Sequence, residues 1–139
     1  MDKERSYQKY IFDTGQKKFI GEFEQMYKAE NTDGFDSWEQ DDVNILDKQL
    51  CVQLVKQSNF NTIVDIGCGK GALTHLMKTQ DNTVFGLDIS LEAVSIARKR
   101  YKDIEFFSVD IKHPDWTNIL YQNLPNGKSS GGGRLRRLS

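Results

Sequence analysis

The sequence predicts an α/β fold in which a parallel β-sheet follows a pair of N-terminal helices. Three short apolar segments, residues 62–66, 83–88 and 104–109, alternate with segments that favour helix. Strands that alternate with helices form βαβ units, and the strands of such units run parallel. Because crossovers between parallel strands are right-handed, we expect the sheet order 3-2-1, with a ligand at the carboxyl ends of the strands.

The first of the N-terminal helices is predicted over residues 16–30, where apolar residues recur at helical spacing. Its apolar face contains Phe19, Ile20, Phe23, Met26 and Tyr27. The sequence Asn31-Thr32-Asp33-Gly34 breaks the pattern and is expected to end the helix.

The second N-terminal helix is predicted to open at Ser37, since Gln40 three residues later completes a capping box. Ser58 and Asn59 end it. Its buried stripe is expected to contain Val43, Leu46, Leu50, Leu54 and Val55. We expect residues 1–58 to form a helical cap over one face or rim of the sheet.

The remaining helices follow from local signals. A helix is predicted over Ala72–Lys78, and Ser90 is expected to cap a second that extends to about Tyr101. A short helix around Trp116 is predicted over Pro114–Tyr121.

Composition excludes several classes of protein. The net charge of −1 over 139 residues offers no electrostatic footprint for nucleic acid. No segment approaches the roughly 18 apolar residues of a membrane span, and the charged N-terminus lacks a signal-peptide core. The two cysteines, Cys51 and Cys68, form no C-x-x-C pair, so a reducing cytoplasm is expected.

The most informative segment is a glycine-rich turn that follows the first apolar strand. Gly67, Gly69 and Gly71 follow Asp65, from which Ile66 separates the first of them, and they precede a helix. Glycines remove the Cβ atoms that would block a ligand and tolerate positive φ. The following helix directs free N–H groups at the same place, which is typical of nucleotide-binding sites.

Two interpretations of this turn are open on its spacing alone. The pattern Gly67-x-Gly69-x-x-Ala72 satisfies the loose dinucleotide fingerprint. Asp65, however, lies two residues before the first glycine, where a carboxylate suits a cationic ligand better than a pyrophosphate. Asp88, at the end of the next strand, fits either interpretation because it can accept both hydroxyls of a ribose.

The sequence resembles the class I S-adenosylmethionine-dependent methyltransferases. The resemblance rests on three motifs in order: residues 64–71 (Val-Asp-Ile-Gly-Cys-Gly-Lys-Gly), 86–90 (Gly-Leu-Asp-Ile-Ser) and 108–111 (Ser-Val-Asp-Ile). It implies S-adenosylmethionine as cofactor, with contacts from Asp65, Gly67, Cys68, Gly69, Gly71, Asp88, Ile89, Asp110 and Ile111. In that family Asp88 would hold the ribose, Ile89 would pack on the adenine and Asp110 would accept from the adenine amino group, with Ile111 beside it.

Other chemically notable residues receive structural interpretations. Cys68 is expected to fill space within the turn, and Lys70 is expected to be a solvated turn residue. His75 and His113 suggest no metal site, and no metal is expected.

The resemblance also implies a Rossmann-like sheet of seven strands in the order 3-2-1-4-5-7-6, of which this chain supplies the first three. A fourth strand is expected near residue 128, where Lys128 is followed by Ser-Ser-Gly-Gly-Gly instead. We therefore expect a half-domain over residues 59–126 and a flexible tail over 127–139, whose composition also fits a non-native origin. The first strand would expose an apolar edge, through which the chain could self-associate.

The predicted function is methyl transfer from S-adenosylmethionine to a small-molecule acceptor, with this chain an incomplete, cofactor-binding part. No catalytic residue can be named. A non-catalytic nucleotide-binding module that needs a partner chain and an NAD-binding oxidoreductase fragment remain as alternatives.

Overall fold

Three strands form a parallel sheet within residues 6–124, the part of the chain that this computed structural model describes. They are β3 (Thr62–Ile66), β4 (Thr83–Asp88) and β5 (Glu105–Ser108), in the order β3-β4-β5. Asp65 pairs with Gly86, and Asp88 pairs with Ser108, so the polar strand ends meet at one edge. The predicted strands, their parallel pairing and their order are confirmed.

Two helices connect the strands. They are α4 (Ala72–Met77) and α5 (Leu91–Arg100), close to their predicted bounds. Ser90 caps α5 as expected, because its Oγ accepts the Ala93 N–H at 3.1 Å. The main apolar core lies between α5 and the sheet and contains Cys68, Val94, Ala97, Ile104 and Phe106.

The strands differ in how completely they are covered. β4, in the centre, buries Val84, Phe85 and Leu87 almost completely. β3 lies at the end of the sheet order, and its Val64 and Ile66 are 37% and 51% exposed. Parallel sheets are normally buried on both faces, so β3 presents an uncovered face within the described residues.

Residues 6–57 form several short elements in place of two long helices. In order they are α1 (Gln8–Ile11), a hairpin of β1 (Phe12–Asp13) and β2 (Lys18–Phe19), α2 (Phe23–Asp33), a 3-10 turn at Ser37–Glu39 and α3 (Leu46–Gln57).

The first predicted helix begins later than expected. Residues 18–19 pair with β1, and Gly21 adopts φ +65°, so helix begins only at Phe23. Phe19 and Ile20 are accordingly exposed, whereas Met26 and Tyr27 are buried as predicted. Gly34, at φ +69°, ends the helix in the left-handed conformation.

The second predicted helix begins at Leu46, and the capping box at Ser37 is wrong. The Gln40 side chain instead contacts the glycine turn. The predicted buried stripe is also wrong, since Leu46, Leu50 and Leu54 are 72%, 54% and 64% exposed. Within the described residues no element covers this face, and Val52 is the residue of α3 that is buried.

The chain divides into two compact units, Met1–Val109 and Asp110–Ser139. The described part of the second unit contains α6 (Trp116–Asn123), two residues later than predicted. The predicted tail over residues 127–139 lies outside the described residues. No helix within residues 6–124 combines the length and apolar character needed to cross a membrane.

Candidate functional site

The turn between β3 and α4 lies against the end of β4. The backbone N–H groups of Gly67 and Cys68 both donate to the carbonyl of Leu87, at 2.7 and 3.0 Å. The turn is thereby fixed at the carboxyl edge of the sheet, where ligands bind in open α/β folds.

The three glycines of the turn have three different surroundings, although all have positive φ. A Cβ on Gly67 would meet nothing within 4 Å, so this residue faces open space. A Cβ on Gly69 would overlap the Gln40 side chain and lie 2.8 Å from the Tyr27 hydroxyl. A Cβ on Gly71 would lie 2.8 Å from the Phe106 ring. Gly67 therefore borders the space available to a ligand, whereas Gly71 is required by the core.

Asp88 bridges the end of β4 and the glycine turn. Its Oδ2 accepts the Gly69 N–H at 2.8 Å, and its Oδ1 accepts the Ser90 N–H at 2.9 Å. Each carboxylate oxygen can accept a further hydrogen bond. The side chain is thus held in place while it keeps acceptor capacity for a ligand.

Asp65 lies partly buried beside this turn. Its Oδ2 accepts the hydroxyl of the fully buried Thr74 at 2.7 Å. Burial raises the pKa of Asp65, the Thr74 hydrogen bond opposes that rise, and the charge of Asp88 adds to it. Asp65 and Asp88 are therefore electrostatically coupled, with no ion pair to either within residues 6–124.

Cys68 fills space within the turn, as predicted. The residue is 7% exposed, and burial, with the charges of Asp88 and Asp65, raises the pKa of its thiol well above the ordinary value. A thiol held protonated is a poor nucleophile.

Lys70 is not the solvated turn residue that was predicted. It is 5% exposed, and its Nζ lies 2.9 Å from Asp36 Oδ1, 2.9 Å from Asp41 Oδ2 and 3.2 Å from Glu30 Oε2. Burial lowers the pKa of Lys70, but the hydrogen bonds to Asp36 and Asp41 and the charge of Glu30 outweigh it and raise the pKa. Lys70 is therefore charged.

Gln40 provides a second link between the N-terminal region and the turn. Its Oε1 accepts the backbone N–H of Lys70 at 3.0 Å, and its Nε2 donates to the Tyr27 hydroxyl at 2.7 Å. One signal in the sequence indicates these contacts: seven acidic residues and no basic residue lie between Lys28 and Lys48. The carboxylates of this acidic segment repel one another, and the charged amine of Lys70 relieves that repulsion.

The other predicted contacts lie farther along the chain. Ile89 follows Asp88 directly and is 53% exposed. Asp110 and Ile111 belong to the second unit, where Asp110 Oδ1 accepts the Lys112 N–H at 2.9 Å. Their contribution to a common site stays a prediction.

The model of a protein family described as "Methyltransferase domain" matches residues 57–126, which is half of the chain. The chain belongs to this family. Its membership confirms the resemblance predicted from the three motifs, and it implies S-adenosylmethionine as the cofactor. The matched region of this methyltransferase domain begins at the end of α3 and includes the glycine turn and Asp88.

One solved structure agrees with this fold, and a second is similar at a lower score. A SAM-dependent methyltransferase from Anabaena variabilis ATCC 29413 is similar at 23% identity and a TM-score of 0.58, over 74% of this chain and 44% of that one. Magnesium protoporphyrin IX methyltransferase from Synechocystis PCC 6803, solved with bound SAM, matches at 21% identity and a TM-score of 0.45, over 79% and 55%. The chain thus spans less than half of the Anabaena protein. A comparison with curated protein sequences found no match.

Proposed function

We propose that this chain binds S-adenosylmethionine at the carboxyl edge of its sheet, beside Gly67. The observation that carries the proposal is the pair Asp65 and Asp88, two coupled carboxylates with no cationic partner within residues 6–124. S-adenosylmethionine carries a sulfonium and an ammonium group, and a cation near this pair would relieve the repulsion between them.

The residues present fit this ligand. Gly67 borders open space, so its backbone can approach a bound molecule closely. Asp88 keeps acceptor capacity on a fixed carboxylate, which suits the two hydroxyls of a ribose. Asp65 would interact with the ammonium group of the amino-acid end directly or through water.

The other residues predicted to contact the cofactor belong to the same proposal. Cys68 and Gly69 would line it through their backbone, and Ile89 would pack on the adenine. Asp110 would accept from the adenine amino group, with Ile111 beside it. Gly71 contributes by allowing the turn to pack on Phe106, which is a structural requirement.

We infer that the full activity is transfer of the methyl group to a small-molecule acceptor. The bound cofactor supplies an electrophilic methyl group with a neutral thioether as its leaving group. The protein then has to align acceptor and methyl group and exclude water. No described side chain is assigned as a catalytic base.

The organisation of the chain is proposed on the same basis. Residues 1–58 form a helical cap, and residues 59–126 form the cofactor-binding half-domain. β3 is an edge strand of the described sheet, and this edge, with the exposed Val64 and Ile66, supports self-association or completion of the sheet by another chain. The second case would make this chain a nucleotide-binding module that acts with a partner. We place the protein in the cytoplasm.

A ligand-selectivity titration tests the proposed cofactor. Isothermal titration calorimetry of the full chain should show binding of S-adenosylhomocysteine and S-adenosylmethionine, and much weaker binding of NAD. Tighter binding of NAD would support the oxidoreductase alternative and overturn the proposal. Repeating the titration with Asp65→Asn separates the two further, since the dinucleotide interpretation gives that carboxylate no role.

A further inference from the structure

Lys70 is a buried cation that the proposed cofactor chemistry does not use. Its three carboxylate partners all come from residues 30–41, and Arg100 of α5 adds a further ion pair to Asp41 at 2.7 Å. Two cations and three carboxylates therefore meet beside the glycine turn. Burying a charged lysine amine costs free energy unless carboxylates surround it. The positions of these side chains relative to one another are therefore constrained.

The same cluster organises the N-terminal segment itself. Glu30 Oε1 accepts the Ser37 N–H at 2.5 Å, and Asp36 Oδ2 accepts the Asp41 N–H at 2.8 Å. The carboxylates that bind Lys70 thus also fix the chain between α2 and the 3-10 turn that follows it. This places Gln40 over Gly69, where its amide contacts the turn.

Lys70 is one peptide bond away from the Gly69 N–H that Asp88 accepts. A shift of Lys70 therefore moves the Gly69 N–H. The hydrogen bond from this N–H holds the carboxylate of Asp88, the residue proposed to bind the ribose. On its other side, Gln40 fixes the Lys70 N–H and also binds Tyr27, which is 3% exposed. The turn is thereby held from the N-terminal segment on one side and from the end of β4 on the other.

We propose that Lys70 and Gln40 are positioning residues that clamp the glycine turn to residues 23–41 and so set the affinity of the chain for its cofactor. The clamp rests on the proposed function for its effect on the ligand. Its effect on the turn does not depend on any ligand and can be measured separately. Neither residue needs to contact the cofactor.

The clamp predicts a local loosening of the turn in Gln40→Ala. Amide hydrogen exchange of the ligand-free chain should be about fivefold faster at Gly69 and Lys70, which corresponds to the loss of one hydrogen bond. The control is Gln49→Ala, since Gln49 is exposed and its amide bonds only the local Val43 carbonyl in the described contacts. Unchanged exchange at the turn in Gln40→Ala would overturn the clamp.

The clamp also predicts the sign of the change in affinity. Gln40→Ala and Lys70→Met should bind S-adenosylhomocysteine about fivefold or more weakly by calorimetry, and Lys70→Arg should recover part of the loss. The control is Lys78→Met, since Lys78 binds carbonyls within its own turn. Tighter binding by Gln40→Ala would show that Gln40 competes for the ligand space. Unchanged affinity with only a lower melting temperature would show a purely structural role. Either result overturns the proposal.

One further variant and the exchange measurement cover the cases in which a protein fails to fold or to bind. Should Lys70→Met fail to fold, Asp41→Asn removes a partner whose side chain is 39% exposed and should give the same direction of change. Should the wild-type chain bind no S-adenosylhomocysteine, the proposed function fails, and the exchange measurement still decides whether the clamp exists.

Discussion

The carboxylate of Asp88 accepts the backbone N–H of Gly69 at 2.8 Å. This bond joins the end of β4 to the turn that follows β3, and it fixes a free acceptor beside the open space at Gly67. Together with the hydrogen bonds from Gly67 and Cys68 to the Leu87 carbonyl, this connection sets the geometry of the candidate site.

Asp65→Asn should separate stability from binding. Burial raises the pKa of Asp65 above its unfolded value, so its charge costs folding free energy at neutral pH, and that cost disappears as the pH falls. The amide removes the charge yet can still accept from Thr74. We expect an equal or higher melting temperature at pH 7 and weaker binding of S-adenosylhomocysteine. A lower melting temperature with unchanged affinity would contradict both the cost assigned to the buried charge and the ligand contact assigned to Asp65.

Gly67→Ala should weaken ligand binding more than its backbone strain explains. Alanine at φ +80° costs about 1–2 kcal/mol, although the added Cβ meets nothing. Gly34→Ala is the matched control, because Gly34 has φ +69° and the same free space at the end of α2. Urea unfolding should give similar losses for both variants, whereas calorimetry should show reduced affinity only for Gly67→Ala. Equal affinities would place the ligand elsewhere.

Gly71→Ala should be the most destabilising substitution in the turn. It combines positive φ with a Cβ 2.8 Å from the Phe106 ring and 3.1 Å from Ala97, both in the core. We expect a loss of about 2–4 kcal/mol, from strain and overpacking together. Urea unfolding beside Gly67→Ala measures the difference, and equal losses would contradict the packing assigned to Gly71.

Cys68 should resist alkylation in the folded chain. Its thiol is buried and its pKa is raised, whereas Cys51 is only partly buried. With iodoacetamide at pH 8, mass spectrometry of peptides should find Cys51 modified first and Cys68 only after unfolding. Prior modification of Cys68 would mean that the turn opens readily.

The Lys70 cluster should weaken in acid. Burial raises the pKa of Asp41, but the hydrogen bonds from Arg100 and Lys70 outweigh it and lower the pKa below the ordinary value of 3.8. Its stabilising contribution is therefore full above about pH 4 and is lost as the pH falls through the lowered pKa. Wild type should exceed Asp41→Asn in unfolding free energy at pH 7, and the difference should shrink by pH 3. A difference that grows in acid would contradict the ion pairs.

The α/β part of the fold was predictable because its signals are local. The strand at 62–66 and the cap at Ser90 depend on residues within a few positions, and both are confirmed. The N-terminal region was not predictable in detail, because its structure depends on contacts far apart in sequence. Gln40 looked like half of a capping box, yet it bonds Lys70, 30 positions away.

The candidate site shows the same division. Asp65, Gly67 and Asp88 follow from strand ends and turn chemistry, which one sequence can indicate. The burial of Lys70 does not, because a single lysine in a turn looks solvated until three distant carboxylates are brought to it. The exposed Leu46, Leu50 and Leu54 follow the pattern of a buried stripe, but periodicity cannot say whether an element covers them.

The most direct test of the account is to observe the glycine turn while ligand is added. A ¹⁵N-labelled chain titrated with S-adenosylhomocysteine should show shifts of the amide signals of Gly67, Cys68 and Gly69, while Gly34 stays unmoved. An intact fold with no shift at millimolar ligand, or with shifts confined to residues away from the turn, would contradict the proposal that this edge of the sheet holds the cofactor.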